Sequence, residues 1–360
     1  MKEGWKYIEL KSICAVQNGY AFDSKKFNDA SIGLPLVRIR DIKRGYSLTY
    51  TDESCQSEFF VENGDILIGM DGDFNVGIWN GGRAYLNQRV CKLIPTNKVS
   101  SRFLYYFIPK TLEAINAKTA FSTVKHLSSK QVNAIQIPDL PLSEQQRIVA
   151  YLDAAFAKID ALKAKAKENL DNAQALFQSA LTEMMTPKEG WVGKTLVDEF
   201  KLRSGENLTA KQQCAGIYPV YGGNGIAGYH NDYNLSGENL LIGRVGAQCG
   251  NIHFPKGKIW VTDNAFIVNK ISDLWLKDFL YYELISLNLN QYAAQAAQPV
   301  ISNKSMKDVK IFLPSLAEQK KVAKTLDSIK STVENLHSNF TTLSSDCDTL
   351  KQSLLRQVFE

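Results

Sequence analysis

Arginine, lysine, asparagine and glutamine gather in two clusters of this 360-residue chain, each time among apolar and aromatic neighbours. In the first cluster Arg38, Arg40, Lys43 and Arg44 alternate with apolar residues, and Gln88 and Arg89 follow Tyr85-Leu86-Asn87. In the second, Arg244 and Gln248 lie in Ile-Gly-Arg-Val-Gly-Ala-Gln-Cys-Gly, with Asn224 before them and Lys256, Lys258 and Asn264 beyond. These side chains suit one kind of chemistry. Arginine matches the O6/N7 edge of guanine, asparagine and glutamine match the N6/N7 edge of adenine, and lysine neutralises phosphate. For any one of them alone, a solvated surface position is the competing reading.

Bond-making chemistry has weaker support. The four histidines, His126, His230, His253 and His337, are not spaced as metal ligands, and His253 lies four residues from Cys249 without a second ligand pair. Asp71 and Asp73 in Met-Asp-Gly-Asp-Phe fit a turn better than a cation site. Gly222-Gly223-Asn224-Gly225 lacks the lysine of a phosphate loop and reads as a turn that needs positive φ. The Asp/Asn-Pro-Pro-aromatic motif of an amino-methyltransferase is missing, since the chain contains no Pro-Pro.

The elements that must position the two clusters are legible as a repeat. Apolar residues at Val322, Leu326, Ile329, Val333, Leu336, Phe340, Leu343, Cys347, Leu350 and Leu354 step by four and three, the seam of a coiled coil. Subtracting 174 gives Ile148, Leu152, Ala155, Ile159, Leu162, Ala166, Asn169, Ala173, Leu176 and Ala180. Ser143 with Gln146 and Ser315 with Glu318 are candidate caps for the two helices, and Pro187 and Gly190 should end the first. Each helix would run about 40 residues, or about 60 Å. Connectivity makes the pair antiparallel if the ends of each block lie close together. Phe156, Phe177, Leu181 and Met184 form a leftover apolar flank that would suit a further partner.

The blocks ahead of the helices also match in order. Gly4-Trp5 corresponds to Gly190-Trp191, Leu10 and Gly19 to Leu196 and Gly205, and residues 65–69 to 239–243. Phe103-Leu104-Tyr105-Tyr106 recurs as Phe279-Leu280-Tyr281-Tyr282, and Leu142-Ser-Glu-Gln as Leu316-Ala-Glu-Gln. Divergence is greatest between Val37 and Gly64 and between Tyr221 and Gly237, which points to two blocks that recognise different things. The fold class expected is α+β: two globular domains separated by two long antiparallel coiled-coil helices, related by a pseudo-two-fold repeat. The boundaries are 1–141, 142–186, 187–314 and 315–360.

A net charge of +5 permits nucleic-acid binding without requiring it. No apolar run reaches membrane-spanning length, the amino terminus does not read as a signal peptide, and the six cysteines form no Cys-x-x-Cys pair. A reduced, cytoplasmic protein is the expectation.

Taken together, the two diverged blocks, the near-identical helices and the Leu-Ser-Glu-Gln/Leu-Ala-Glu-Gln starts resemble the specificity (S) subunit of type I restriction-modification systems. Tyr218-Pro-Val-Tyr-Gly-Gly-Asn-Gly-Ile226 and Trp260-Val-Thr-Asp-Asn-Ala-Phe266 are similar to that family's target-recognition domains. The resemblance implies a non-catalytic subunit that binds double-stranded DNA at a split site and sets the gap with its helices. It implies two modification subunits that bind S-adenosylmethionine and methylate adenine N6. Restriction subunits using ATP with Mg are optional further partners, and no cofactor is expected in this chain. Leu142, Glu144, Gln145 and Ile148, with Leu316, Glu318, Gln319 and Val322, match the family's helix start, which is structural or contacts partner subunits. The first block has Leu36-Val-Arg-Ile-Arg40 and Asn87-Gln-Arg89 in place of the Tyr-Gly-Gly-Asn-Gly and Thr-Asp-Asn-Ala elements, so the target should be non-palindromic. The competing reading is a coiled-coil adaptor joining two protein-binding domains, without salt-sensitive DNA affinity.

Overall fold

The sequence repeat is also a repeat of strand order. The computed structural model describes residues 2, 4–72, 74–118, 125–294 and 299–360. The chain forms two units, residues 1–164 with 343–360, and residues 165–342. Both unit boundaries fall inside the long helices, because each helix contributes one half to each unit.

The first unit runs through β1 (Tyr7–Glu9), β2 (Cys14–Asn18), β3 (Leu34–Val37), the short α1 (Ile39–Ile42), β4 (Tyr50–Thr51) and β5 (Phe60–Val61). It continues with β6 (Ile66–Gly69), β7 (Val76–Ile78), β8 (Ala84–Leu86), β9 (Val90–Pro95), α2 (Ser101–Lys118), α3 (Ser129–Asn133), β10 (Gln136–Pro138) and the first half of α4 (Leu142–Met185). Among the described residues the sheets are β1-β10, β2-β9-β6-β7 and β4-β3-β8-β5. The second unit has β11 (Val192–Thr195), α5 (Leu196–Glu199), β12 (Lys201–Ser204), β13 (Tyr218–Gly222), β14 (Gly225–His230) and β15 (Leu241–Gly243). Then come β16 (Ile252–His253), β17 (Trp260–Val261), β18 (Ala265–Asn269), α6 (Lys277–Ser286), β19 (Lys310–Leu313) and α7 (Leu316–Phe359). Among the described residues its sheets, β11-β19, β12-β18-β15-β16 and β14-β13-β17, repeat the first set with one strand fewer in the last.

One strand of each unit is apolar on both faces, for a reason set by the two-residue period of a strand. Ile66 and Ile68 of β6 point into the main core with Phe103 and Leu104 of α2, while Leu67 points into a smaller core with Val37, Trp79 and Leu86. In the second unit Ile242 faces the main core with Phe279 and Leu280, and Leu241 faces Ile259 and Val261.

The two helices are antiparallel within each unit. Ile148 and Leu152 of α4 share the first core with Leu354, Leu355 and Phe359 of α7, and Lys163 pairs with Asp348 at 3.2 Å while Asp160 pairs with Lys351. In the second unit Leu181 and Met185 share a core with Val322, Ala323 and Leu326. The apolar flank is thereby accounted for. Phe156 packs half-buried on the first core, Phe177 and Met184 half-buried on the second, and Leu181 lies within the second.

Each helix is 44 residues long and the two start at the equivalent Leu142 and Leu316. Ser315 caps α7 as expected, its Oγ accepting the Glu318 N–H at 3.3 Å. Ser143 does not cap α4. It lies inside the helix, and the Pro141 carbonyl accepts the first N–H groups, from Glu144 and Gln145. The seam needs a second correction. Ile148, Leu152, Ile159, Val322 and Leu326 are buried, and Ile329, Val333, Leu336, Phe340, Leu343 and Leu354 are half-buried, but Leu162, Leu176 and Leu350 are exposed. Beyond Ile159 the covered positions of α4 are Lys163, Ala166, Leu170, Ala173, Phe177, Ala180, Leu181, Met184 and Met185. The row Leu152, Ile159, Ala166, Ala173 and Ala180 stays covered, while the other row of the seam moves on by one residue, from Leu162, Asn169 and Leu176 to Lys163, Leu170 and Phe177.

The repeated glutamine at each helix start is a buried clamp. Gln145 Oε1 accepts the Ser100 N–H at 2.9 Å, and its Nε2 donates to the Lys98 and Leu140 carbonyls at 3.0 and 2.9 Å. Gln319 makes the same three bonds, to Leu276, Leu274 and Pro314, at 2.8, 2.8 and 3.0 Å. Each glutamine thus ties the loop ahead of its helix to the helix start through three backbone groups.

Candidate functional site

Among the described residues each unit contains one pair of adjacent parallel strands, and several of the candidate residues sit where that pair ends. In the first unit β3 runs parallel to β8, with Leu36 beside Tyr85 and Val37 beside Leu86. The chain leaves β3 into Arg38 and α1 and leaves β8 into Asn87-Gln88-Arg89, so segments about fifty residues apart arrive at one place. They line a concavity of about 510 Å³ with Arg38, Arg40, Gln88 and Arg89 on its walls. In the second unit β13 runs parallel to β17, with Val220 beside Trp260 and Tyr221 beside Val261. The Gly222–Gly225 turn and Thr262-Asp263-Asn264 leave the ends of those strands, and Asn224, Val245 and Asn264 line a concavity of about 420 Å³.

Both loops are held by close backbone approach. A Cβ on Gly19 would lie 2.0 Å from the Asn87 carbonyl oxygen, and one on Gly205 would lie 2.3 Å from that of Val261. That explains why this glycine recurs in both blocks. Of the residues in the Gly222–Gly225 turn, only Gly225 takes a positive φ, at 94°, and its Cα packs against the His253 ring. Burial holds the His253 imidazole below its ordinary range, which keeps it neutral at pH 7.

The first concavity is cationic and internally braced. Asp41, 1% exposed, accepts the Arg38 N–H at 3.0 Å and lies 3.9 Å from Arg40 Nε and 4.0 Å from Arg44 Nη1. This buried carboxylate fixes the turn that carries the arginines, and their charges offset its own. Arg40 also donates to Thr49 Oγ1 at 2.9 Å. Arg89 is ion-paired and hydrogen-bonded to Asp71, whose other oxygen lies 2.6 Å from His126 Nδ1. Partial burial would raise the Asp71 carboxyl, but hydrogen bonds from His126 and Arg89 outweigh it and hold it below the usual range. Asp71 is therefore an ion-pair residue. Asp73 lies outside the described residues, and among these no cluster of three or more His, Cys, Asp or Glu could hold a metal.

The second concavity is uncharged, with Asn224 and Asn264 among glycine and aliphatic residues. Asn251 Nδ2 donates to Asn224 Oδ1 at 3.3 Å and to Gln248 Oε1 at 3.1 Å, joining two expected residues through a third. Other candidates lie elsewhere. Arg244 is turned inward: it donates to Ser204 Oγ at 3.2 Å and to the Asp263 carbonyl at 3.4 Å, and lies over the Phe266 ring. Through Nη1 its guanidinium braces the loop. Lys43 and Arg44 are exposed but do not line the first concavity. Lys256 pairs with Glu238 at 2.9 Å, and Lys258 lies over the Tyr233 and Tyr218 rings, 4.4 Å from the nearer; neither lines the second concavity.

Sequence reasoning missed Asp71 as the partner of Arg89, His126 as the partner of Asp71, and Asn251. Asp71 and His126 are 55 residues apart, with no local signal joining them. Asn251 had one: the loop from Gly243 opens and closes on glycine, and Gly243 and Asn251 then bond through their backbones.

Over residues 2–172 and 188–340 the chain matches the family described as type I restriction modification DNA specificity domain. The specificity subunit of the type I restriction enzyme EcoBI from Escherichia coli is 27% identical, covering 99% of this chain and 86% of the relative. The EcoprrI specificity subunit, also from Escherichia coli, is 29% identical over 95% of this chain and 91% of its own length. A solved chain described with complex assembly and conformational transition of the type I R-M system has a TM-score of 0.75 at 19% identity, covering 100% of this chain and 98% of that one. The HsdS subunit from Thermoanaerobacter tengcongensis has a TM-score of 0.57 at 18% identity, covering 100% and 97%. At such identities the solved structures establish a shared fold. Among the described residues no helix is long and apolar enough to cross a membrane.

Proposed function

The chain belongs to the type I restriction-modification DNA specificity family, and from that premise we propose that it reads a split, non-palindromic sequence in double-stranded DNA, one half-site per unit. The observation that carries this reading is the pair of equivalent concavities at the ends of β3/β8 and β13/β17. They share a backbone frame and differ in lining: three arginines stand in the first, while the second is uncharged, with glycine and aliphatic residues around Asn224 and Asn264. A frame duplicated with different side chains suits two different base sequences. Two identical linings would suit a palindrome.

The chain itself carries no catalytic step in this reading. Two modification subunits supply S-adenosylmethionine and methylate adenine N6 at the bound site. Restriction subunits, where present, supply ATP-dependent cleavage with Mg. The complex acts in the cytoplasm. The 44-residue helices supply the fixed element between the half-sites.

The experiment is a binding titration of the full chain, with the subunits that co-purify with it, against labelled duplexes at several salt concentrations. A DNA reader shows affinity that falls with salt and one enriched split motif. Salt-insensitive failure to bind any duplex, with capture of proteins unrelated to methyltransferases, would replace this reading with the adaptor.

A further inference from the structure

The first unit holds a polar triad, Arg89–Asp71–His126, built on an ion pair, at a place where the second unit holds an uncharged set. The equivalence rests on backbone bonds. The Met70 N–H donates to the Arg89 carbonyl at 3.0 Å, and the Arg244 N–H donates to the Asn264 carbonyl at 2.9 Å. The Leu127 N–H donates to Met70 at 2.7 Å, and the Ile301 N–H to Arg244 at 2.9 Å. Asp71 bridges His126 just as Val245 bridges Val300. Arg89, Asp71 and His126 thus correspond to Asn264, Val245 and Val300.

All three residues changed together, and their chemistry is consistent. Arg89 is 57% exposed on the wall of the concavity, while Asp71 beneath it is 14% exposed. Both carboxylate oxygens of Asp71 are engaged, one by Arg89 and one by His126, so the carboxylate cannot swing away. It pins one edge of a planar guanidinium that has five N–H donors, and the remaining donors are free to form a fork. Pinning also reduces the side-chain entropy lost when the fork engages a ligand. Val245 offers the second unit no such anchor, and an amide stands there in place of the cation.

We propose that the first unit reads a guanine through the Arg89 guanidinium, with Asp71 and His126 as positioning residues, while the equivalent Asn264 gives the second unit an adenine preference. This rests on the DNA-reading function proposed above.

The test is selection of bound duplexes from a randomised library at one fixed salt concentration, using the full chain with its co-purifying subunits. The native protein enriches guanine at one position of one half-site. Arg89→Gln lowers that preference about 5- to 150-fold, the span of one bidentate base contact, and shifts it towards adenine. Asp71→Asn lowers the same preference at the same position and leaves the other half-site and the salt dependence unchanged. A merely structural role for Asp71 would instead weaken all sequences alike. Asn264→Ala relaxes only the other half-site. Guanine preference retained in Arg89→Gln, or Asp71→Asn weakening every sequence equally, overturns the proposal while DNA recognition stands. No enrichment by the native protein refutes DNA recognition itself.

Discussion

Replacing Gln145 by alanine should loosen the first unit at its helix start and leave the second untouched. Gln145 is 2% exposed and closes three hydrogen bonds, to the Ser100 N–H and to the Lys98 and Leu140 carbonyls. Each bond is worth about 1 kcal/mol net, and each backbone group left buried and unpaired adds further cost, so the loss is about 3 kcal/mol or more. At about 1.4 kcal/mol per factor of ten, 3 kcal/mol corresponds to roughly 150-fold faster opening. Hydrogen exchange read by mass spectrometry resolves that change segment by segment. The amides around Ser100 and the first turns of α4 should exchange about two orders of magnitude faster. Peptides around Leu276 and the start of α7 serve as an internal control, because Gln319 holds them by the same three bonds. Gln319→Ala should reverse the pattern. A change below about fivefold at Ser100, or equal change in both units, would refute the clamp.

Burial pushes the Glu283 carboxyl up to about 7 from an ordinary value of 4.5, against the hydrogen bond it accepts from the Phe312 N–H at 2.8 Å. The folded state therefore holds a proton that the unfolded chain has lost. Stability is full below about pH 4.5, falls as pH rises to about 7, and is level above, a loss of about 3 kcal/mol. Glu283→Gln should flatten that slope in urea unfolding at pH 5.5 and 7.5; an unchanged slope counts against it. On the long helix, Leu170→Ala should cost about 2–5 kcal/mol while Leu176→Ala stays within about 0.5, as urea midpoints will report. The reverse order would restore the strict heptad seam. Inserting seven residues at equivalent points of α4 and α7 adds about 10 Å to each helix, or roughly 3 base pairs. The gap between half-sites should grow by that amount with the half-sites unchanged, and altered half-sites with a constant gap would exclude a ruler.

The helices and the repeat were legible because local periodicity encodes them: a four-three spacing of Val322, Leu326 and Ile329 needs no tertiary information. The same reasoning misplaced Leu162 and Leu176, since a four-three count leaves open a one-residue displacement of one row, here to Lys163, Leu170 and Phe177. It also chose Ser143 over Pro141 at the helix start, where a backbone carbonyl does the work that a hydroxyl was expected to do. Arg38, Arg40, Gln88 and Arg89 were found by residue type, but their convergence was not, because it depends on the parallel pairing of β3 with β8. Arg244 too was picked out by residue type, but its bond to Ser204 and its place over the Phe266 ring depend on tertiary packing that no local spacing encodes.

The most direct measurement is a genome-wide map of N6-methyladenine in the source cell with and without this gene. The account predicts that one split, non-palindromic motif loses methylation when the gene is removed, which would identify both half-sites at once. Loss at a palindromic motif would contradict the two unlike concavities. An unchanged map, in a cell where the chain co-purifies with a modification subunit, would contradict its role in directing methylation.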